Sequence, residues 1–444
     1  MIRIVSSFMV RVVQRYLPDP LVLAMLLCLI VFVLGSFKIP TADGEFAALK
    51  MAQLWGDGFW NLLAFTMQMA MIIVTGHALA SSEPIKKLLR QIASFATTQR
   101  RAVMLVVFFG SVACLINWGF GLVVGALLAK EVARKLKTCD YGLLIACAYM
   151  GFMTWGGGLS GSMPLLAATP GNPMESRIGG TIPISETIFS NYNMFIIIGL
   201  LVVLPALVAF MIPKDPKPID PDLLAEEPSF QREVPKDAVI ALRLEESRLL
   251  SLLIAAIGIV YLGYFFATKG FNVDINKVNL IFVVFGILLH KTPMAYVRAI
   301  MAATKGTAGV LVQFPFYASI ALMMEKSGLG QMITEGFISI STKETFAVYT
   351  YISSALINFA IPSGGGHWVV QGPFVLDAAK ELGVDFGKAT MAIAYGDMQS
   401  NMAQPFWAIP ALAIAGLGVR DIMGYCMTAL IFTIPIFVIG LYFL

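Results

Sequence analysis

Charged residues are scarce in this sequence. Of its 444 residues only 13% are Asp, Glu, Lys or Arg, about half the ~25% of a soluble domain, so an ordinary soluble fold is excluded. Cysteine is thin as well. Five are present, four of them (Cys28, Cys114, Cys147 and Cys426) inside apolar segments, and no spacing suggests a disulfide framework. They read as small hydrophobes. Alternation of apolar and polar residues is missing, which excludes a transmembrane β-barrel. A cleavable leader is missing too. "MIRIVSSFMVRVVQRYLPDP" sets Arg3, Arg11 and Arg15 among apolar residues at helical spacing, which makes residues 1–20 an interfacial amphipathic helix. The net charge of +4 points to no nucleic-acid partner.

What the chain has instead is oil. It is 58% hydrophobic, with a mean hydropathy of +0.80. Runs such as "LVLAMLLCLIVFVLGSF" (21–37), "MFIIIGLLVVLPALVAFMI" (194–212) and "LLSLLIAAIGIVYLGYFFA" (249–267) have about the length that spans a bilayer. The fold class is therefore an all-α polytopic membrane protein. Residues 213–248 break the pattern with six prolines, six basic and nine acidic residues, and read as a cytoplasmic linker between halves 21–212 and 249–444.

Basic residues set the orientation. Stretch 102–129 has Arg100 and Arg101 before it and Lys130, Arg134 and Lys135 after it, so both ends face the cytoplasm. Its arms, 102–116 and 120–129, are too short to cross at 1.5 Å per residue, which predicts a re-entrant helical hairpin turning at Asn117. In the second half the arms 345–360 and 367–379 predict a hairpin entering from outside. "LINW" (115–118) matches "LINF" (356–359) at an offset of 241, and Pro164 matches Pro405 at the same offset. The expected architecture is an inverted repeat with two re-entrant hairpins and two discontinuous transmembrane helices, the signature of a secondary transporter site.

Four breaks carry the candidate residues: "NWGFG" (117–121), "WGGGLSGS" (155–162), "PSGGGH" (362–367) and "GDMQSNMAQ" (396–404). Irregular backbone at membrane depth is tolerated only when buried in protein or lining a wet cavity. Freed carbonyls can take a cation, and freed N–H groups can hold a carboxylate. The expected substrate and ion ligands are Asn117, Gly119, Ser160, Gly161, Ser162, Asn358, Ser363, Gly364, Gly365, Gly366, His367, Ser400, Asn401 and Gln404. Asp397, a carboxylate at membrane depth, is the coupling candidate. No cofactor is expected beyond Na⁺ near Asn117 and Asn358, or H⁺, as coupling ion. Packing is the bland reading of any one glycine, and four breaks in matched pairs weigh against it for the set. Two rivals remain: a passive small-anion channel, and a rhomboid-like intramembrane serine protease suggested by "GLSG" (158–161). No enzyme is expected, since a protease does not explain a second hairpin.

At these positions "WGDGFWNLLAF" (55–65), "NWGFGLVVGA" (117–126), "MTWGGG" (153–158), "PLLAATPGNP" (164–173), "IPSGGGHWVVQGP" (361–373) and "NMAQPFWAIPALAIAG" (401–416) resemble the bacterial short-chain fatty acid transporter family over essentially the whole chain. The resemblance implies ion-coupled uptake of acetoacetate- or butyrate-like monocarboxylates across the bacterial inner membrane. It also places the chain in the wider ion transporter superfamily. That implies a homodimer with a scaffold, drawn here from 21–37 and 249–289, and a moving unit drawn from 59–212 and 307–443.

Overall fold

The computed structural model describes residues 2–16, 18, 20–41, 45–172, 174–224, 235, 239–270, 275–304, 307–362 and 364–444. Among them no strand forms. The first half comprises α1 (Ile2–Tyr16), α2 (Pro20–Ser36), α3 (Ala47–Gly58), α4 (Leu63–Ala80), α5 (Glu83–Ser94), α6 (Gln99–Ile116), α7 (Trp118–Lys135), α8 (Tyr141–Met150), a 3₁₀ turn (Gly151–Gly157), α9 (Ser162–Ala167), α10 (Glu175–Ile178) and α11 (Asn191–Met211). After α12 (Ile240–Glu245) come α13 (Arg248–Lys269), α14 (Ile275–His290), α15 (Pro293–Thr304), α16 (Ala308–Ser327), α17 (Leu329–Ile338), α18 (Phe346–Ile357), α19 (Gly364–Leu382), α20 (Phe386–Ser400), α21 (Ile409–Ala415) and α22 (Val419–Phe443).

Local chemistry fixes many of the starts. The side chains of Thr98, Asp140, Ser190, Ser247 and Asp385 each accept a hydrogen bond from a first-turn N–H of the helix that follows, as good N-caps do. By length and composition, five segments among the described residues can cross a membrane: Gln99–Ile116, Tyr141–Ala167, Asn191–Met211, Ile240–Lys269 and Val419–Phe443. The chain is a multi-pass membrane protein.

The first pair of arms differs from expectation. α6 and α7 have 18 residues each, or about 27 Å at 1.5 Å per residue, because the helices continue through Arg100 and Arg101 and through Lys130 to Lys135. Shortness of the arms therefore gives no argument for re-entry here. The two lie against each other and turn at Asn117 alone. The second pair is unlike the first. α18 and α19 both pack on α20 and touch each other little.

Two packing groups emerge. α2, α3, α4, α14, α15 and α16 form one, joined by Gln68 Nε2 donating to Asn276 Oδ1 (2.9 Å) and Asn279 Nδ2 donating to the Gln68 carbonyl (3.0 Å). Beside it, Glu246 accepts from Arg298 and from Thr292 at 2.7 Å each. The other group gathers α6 to α9, α11 and α18 to α22. So α4 and α16, expected in the moving unit, pack elsewhere, α16 on α2 and α3, and α4 on α14 and α15. Gly58 explains this for α16: a β-carbon there would lie 2.9 Å from Ser319 Cα, so only glycine allows that approach.

α1 packs along α22 rather than standing apart, and the Gly424 backbone reaches Val10. The ordered start of the expected linker packs too. Lys217 N–H donates to Asp140 Oδ2 (2.9 Å), and its carbonyl accepts from Tyr141 N–H (2.8 Å). His290, at the end of α14, is buried with Nε2 against the Ala78 carbonyl at 2.7 Å. All five cysteines are buried and free.

A close backbone contact lies where the 3₁₀ turn meets α6. A β-carbon at Gly151 would sit 2.5 Å from the Gly110 carbonyl carbon. Gly151→Ala is expected to cost about 1–3 kcal/mol by overpacking, read as a lower melting temperature in detergent. Gly263→Ala, where a β-carbon meets nothing within 4 Å, serves as the control and should melt at or above the parent. Equal melting of the two variants would refute the close contact.

Candidate functional site

The site grows from two helices that cannot run straight. After Met150 the α8 backbone tightens to a 3₁₀ turn, breaks over Gly158–Gly161 and resumes at Ser162. After Ser400 the α20 backbone breaks over 401–405 and resumes through a short 3₁₀ turn (Phe406–Ala408) into α21. A broken helix frees carbonyls and N–H groups that must find new partners. At the first break Leu159 N–H donates to the Leu115 carbonyl (2.7 Å), and Trp118 N–H donates to Ser160 Oγ (2.9 Å). At the second, Asn358 Nδ2 lies 3.0 Å from the Asp397 carbonyl, 2.9 Å from Ser400 Oγ and 2.9 Å from Asn401 Oδ1. In both halves the arm turn is tied to the break 42 residues later, Trp118 to Ser160 and Asn358 to Ser400.

The paired asparagines nevertheless do different jobs. Asn117, in extended backbone (φ −156°, ψ 127°), caps α7 by accepting from the N–H groups of Gly119 (3.0 Å) and Phe120 (3.1 Å). Gly119 thus sits in the first turn of α7, not in the break. Asn358 is the C-cap of α18 and caps no helix start; its amide clamps the second break, and three acceptors share its two hydrogens. The glycines of "PSGGGH" are also displaced from expectation. Gly364, Gly365 and Gly366 open α19. Ser363 lies outside the described residues.

The two halves meet at this turn. A β-carbon at Gly364 would fall 2.3 Å from Ser162 Oγ and 2.9 Å from Trp155 Cη2, so only glycine lets α19 approach the first break. Gly161 is equally constrained, its missing β-carbon facing the Gly156 carbonyl at 2.4 Å. One turn along α19, His367 is fully buried. Its Nε2 faces Gln371 Oε1 at 2.8 Å, and Gln371 is oriented by donating from Nε2 to Ser353 Oγ at 2.9 Å. Nε2 therefore carries a hydrogen. Nδ1 faces Asp397 Oδ1 at 3.2 Å, so a second proton must sit either on Nδ1 or on the carboxyl. The pair is placed to share a proton between two buried groups.

Several polar atoms here are buried without a hydrogen-bond partner among the described residues: Asp397 Oδ2, Asn358 Oδ1, Asn401 Nδ2, both amide atoms of Gln404, Ser162 Oγ and Trp155 Nε1. Native interiors rarely leave such groups unmatched, so these atoms are the candidates to meet a polar ligand. Both donors and acceptors are represented.

Sequence reasoning missed Gln371, Ser353 and Ser354. His367 and Gln371 stand four apart on one helix, a spacing that could have joined them. It also missed Asn193, whose Nδ2 donates to the Gly157 carbonyl (2.9 Å) and whose Oδ1 accepts from Tyr395 (2.7 Å). Nothing local in the apolar run of α11 marks that residue. The protease reading has no support. Ser160 accepts from Trp118 N–H and has no histidine beside it, and Ser354, 3.4 Å from His367 Nε2, spends its hydroxyl on the Ile393 carbonyl at 2.6 Å. No group of three or more His, Cys, Asp or Glu is placed to hold a metal ion among the described residues.

The family described as "Short chain fatty acid transporter" matches residues 1–444. A protein named for short-chain fatty acid transport in Escherichia coli (strain K12) is 64% identical over 443 residues, covering 99% of each chain. Another so named, in Haemophilus influenzae (strain ATCC 51907 / DSM 11121 / KW20 / Rd), is 59% identical over 452 residues, covering 100% of each. Among solved structures, the YdaH transporter of Alcanivorax borkumensis is 16% identical, with a TM-score of 0.47 over 95% of this chain and 98% of its own. With a family match from end to end and relatives this close, the chain belongs to the short-chain fatty acid transporter family, and it is a transporter, not an enzyme.

Proposed function

We propose that the protein is a secondary active carrier of acetoacetate- or butyrate-like monocarboxylates across the bacterial inner membrane, driven by protons and working by alternating access. The observation that carries this reading is the buried His367–Asp397 pair, 3.2 Å apart, beside a cluster of unmatched polar atoms. A carboxylate would be held at the start of α19 beside Gly364, by the unmatched donors Ser162 and Trp155. The shared proton offsets the buried charge. Without it, an imidazole lone pair would face a carboxylate between two fully buried side chains, at a cost of several kcal/mol. A carboxylate arriving beside the pair therefore favours its protonated form, which is coupling by linkage.

The corresponding cross-links at Trp118–Ser160 and Asn358–Ser400 support the inverted-repeat reading, with the two breaks as the half-sites. A second reading rests on Asn358. Three oxygens converge on its amide, and its own Oδ1 is unmatched. With the amide turned over, its oxygen would face those three, a set of oxygen donors of the kind a hard cation takes. A passive channel would need neither arrangement.

In proteoliposomes, Asp397→Asn is expected to abolish accumulation of labelled butyrate driven by a proton gradient while leaving butyrate exchange measurable. His367→Gln should behave alike. Wild-type accumulation in Asp397→Asn would remove the proton role, and accumulation driven by a Na⁺ gradient alone would establish the Asn358 reading. Uptake that never exceeds equilibrium would indicate the channel.

The two asparagines should also separate. Asn117→Ala removes an N-cap and should cost about 1 kcal/mol of stability, seen as a lower melting temperature with modest loss of transport. Asn358→Ala leaves the second break unclamped and should lower transport roughly tenfold or more, since 1–3 kcal/mol is at stake. The reverse ranking would contradict the assigned roles.

A further inference from the structure

Hydrogens around the buried pair are not free to choose their places. α18 and α20 approach so closely at Gly396 that a β-carbon there would lie 2.3 Å from the Tyr351 carbonyl oxygen and 2.5 Å from Ser354 Cβ. That approach sets Ser354 Oγ 2.6 Å from the Ile393 carbonyl, which can only accept, so the serine spends its single hydrogen there. Its lone pairs are left to face His367 Nε2 at 3.4 Å. The neighbouring Ser353 gives its hydrogen to the Thr350 carbonyl at 2.9 Å and so meets Gln371 as an acceptor. The Gln371 amide must then turn its nitrogen to Ser353 and its oxygen to Nε2, at 2.9 and 2.8 Å. Two acceptors, each fixed in its role through a backbone carbonyl, converge on one ring nitrogen.

Hydrogen bonds, not neighbouring charges, set this arrangement. Ser353, Ser354, His367, Gln371 and Asp397 are all buried. Lys388 of α20 is nine residues from Asp397, and Asp377, which meets Arg177 of α10, is ten from His367, about 14 and 15 Å of helix. Glu175 of α10 accepts from Gly171 N–H, and Glu335 of α17 is exposed. Turning the Gln371 amide over would set its hydrogens against Nε2 and break its bond to Ser353, leaving buried groups unmatched.

We propose that Ser353, Ser354 and Gln371 are positioning residues that lock His367 in the tautomer with hydrogen on Nε2, and so bar the pair from standing without its proton. Nδ1 then offers Asp397 only a lone pair unless a proton lies between them. With the lock undone, the hydrogen could move to Nδ1 and give a bare carboxylate its own donor. The unprotonated pair would then be stable, and the carrier could return without having moved a proton. The lock is a safeguard of coupling. That role rests on the proton-driven reading, whereas the tautomer itself does not.

Two measurements on the full-length protein separate these parts. Nitrogen-15 NMR of the histidine-labelled protein in lipid reads which ring nitrogen bears hydrogen, with His367→Gln assigning the signal among three histidines. Parent Nε2 should stay protonated at acid and alkaline pH alike, and a bare Nε2 at either overturns the lock. The double variant Ser353→Ala, Ser354→Ala and the single variant Gln371→Met should each move hydrogen to Nδ1 at alkaline pH. Nε2 that stays protonated in both overturns the assignment of these residues. In proteoliposomes both should keep butyrate exchange measurable while accumulation under a proton gradient falls roughly tenfold, as loss of one buried hydrogen bond allows. Variants that shift the hydrogen yet accumulate like the parent overturn the coupling role. If neither variant folds, the parent spectrum decides the tautomer alone. Parent protein with Nε2 protonated but no accumulation under a proton gradient overturns the proton-driven reading and leaves the tautomer lock standing.

Discussion

A helix broken inside a bilayer exposes backbone groups where no water can take them, and this constraint organises the whole second packing group. Each orphaned group costs several kcal/mol unless paired. The chain answers with a partner for the carbonyls and N–H groups at both breaks. Leu115 takes the N–H of Leu159, Asn193 reaches the Gly157 carbonyl, Tyr149 donates to the Asn401 carbonyl, and Asn358 donates to the Asp397 carbonyl. Every one of these partners comes from another element. The breaks are therefore tertiary constructions, held open by α6, α11, α8 and the turn after α18.

Satisfying the backbone leaves the side chains with less. The same region that supplies a partner for its broken backbone keeps Asp397 Oδ2, Asn401 Nδ2 and both ends of the Gln404 amide unmatched. Stability alone would favour apolar residues at such positions, since well-packed hydrophobes often replace buried polar groups at no loss. Polar atoms placed there and left unmatched make sense as ligands for something that comes and goes. The His367–Asp397 pair fits the same logic, because a proton held between two buried groups can leave only when another charge compensates.

Reading the sequence located both breaks to within a few residues, because glycine, proline and small polar residues are conspicuous in an apolar background. Asp397 and His367 stood out for the same reason. Finer placement failed where it depends on helix ends. "GGG" reads equally as a linker or as a helix start, and only the packing of Gly364 against Ser162 decides between them. The arms around Asn117 read as short because charged residues bound the apolar run, yet Arg100 and Lys135 continue the helices. Asn193 and Tyr395 were invisible, since their roles come from partners about 40 and 200 residues away in sequence. The membership of α4 and α16 was likewise set by distant contacts, Gln68 with Asn276 and Gly58 with Ser319.

The buried cysteines carry a practical consequence. Cys114, Cys147 and Cys426 lie at 0% exposure, Cys139 at 1% and Cys28 at 8%. A thiol must be reached by solvent and ionised before it attacks a reagent, and burial pushes the Cys139 thiol, outside the helices, up to about 11. The native protein is thus chemically silent toward membrane-impermeant maleimides. A cysteine introduced at the mouth of either break would report its own access to water from one side or the other, with no need to strip the five natural ones and risk the packing they fill.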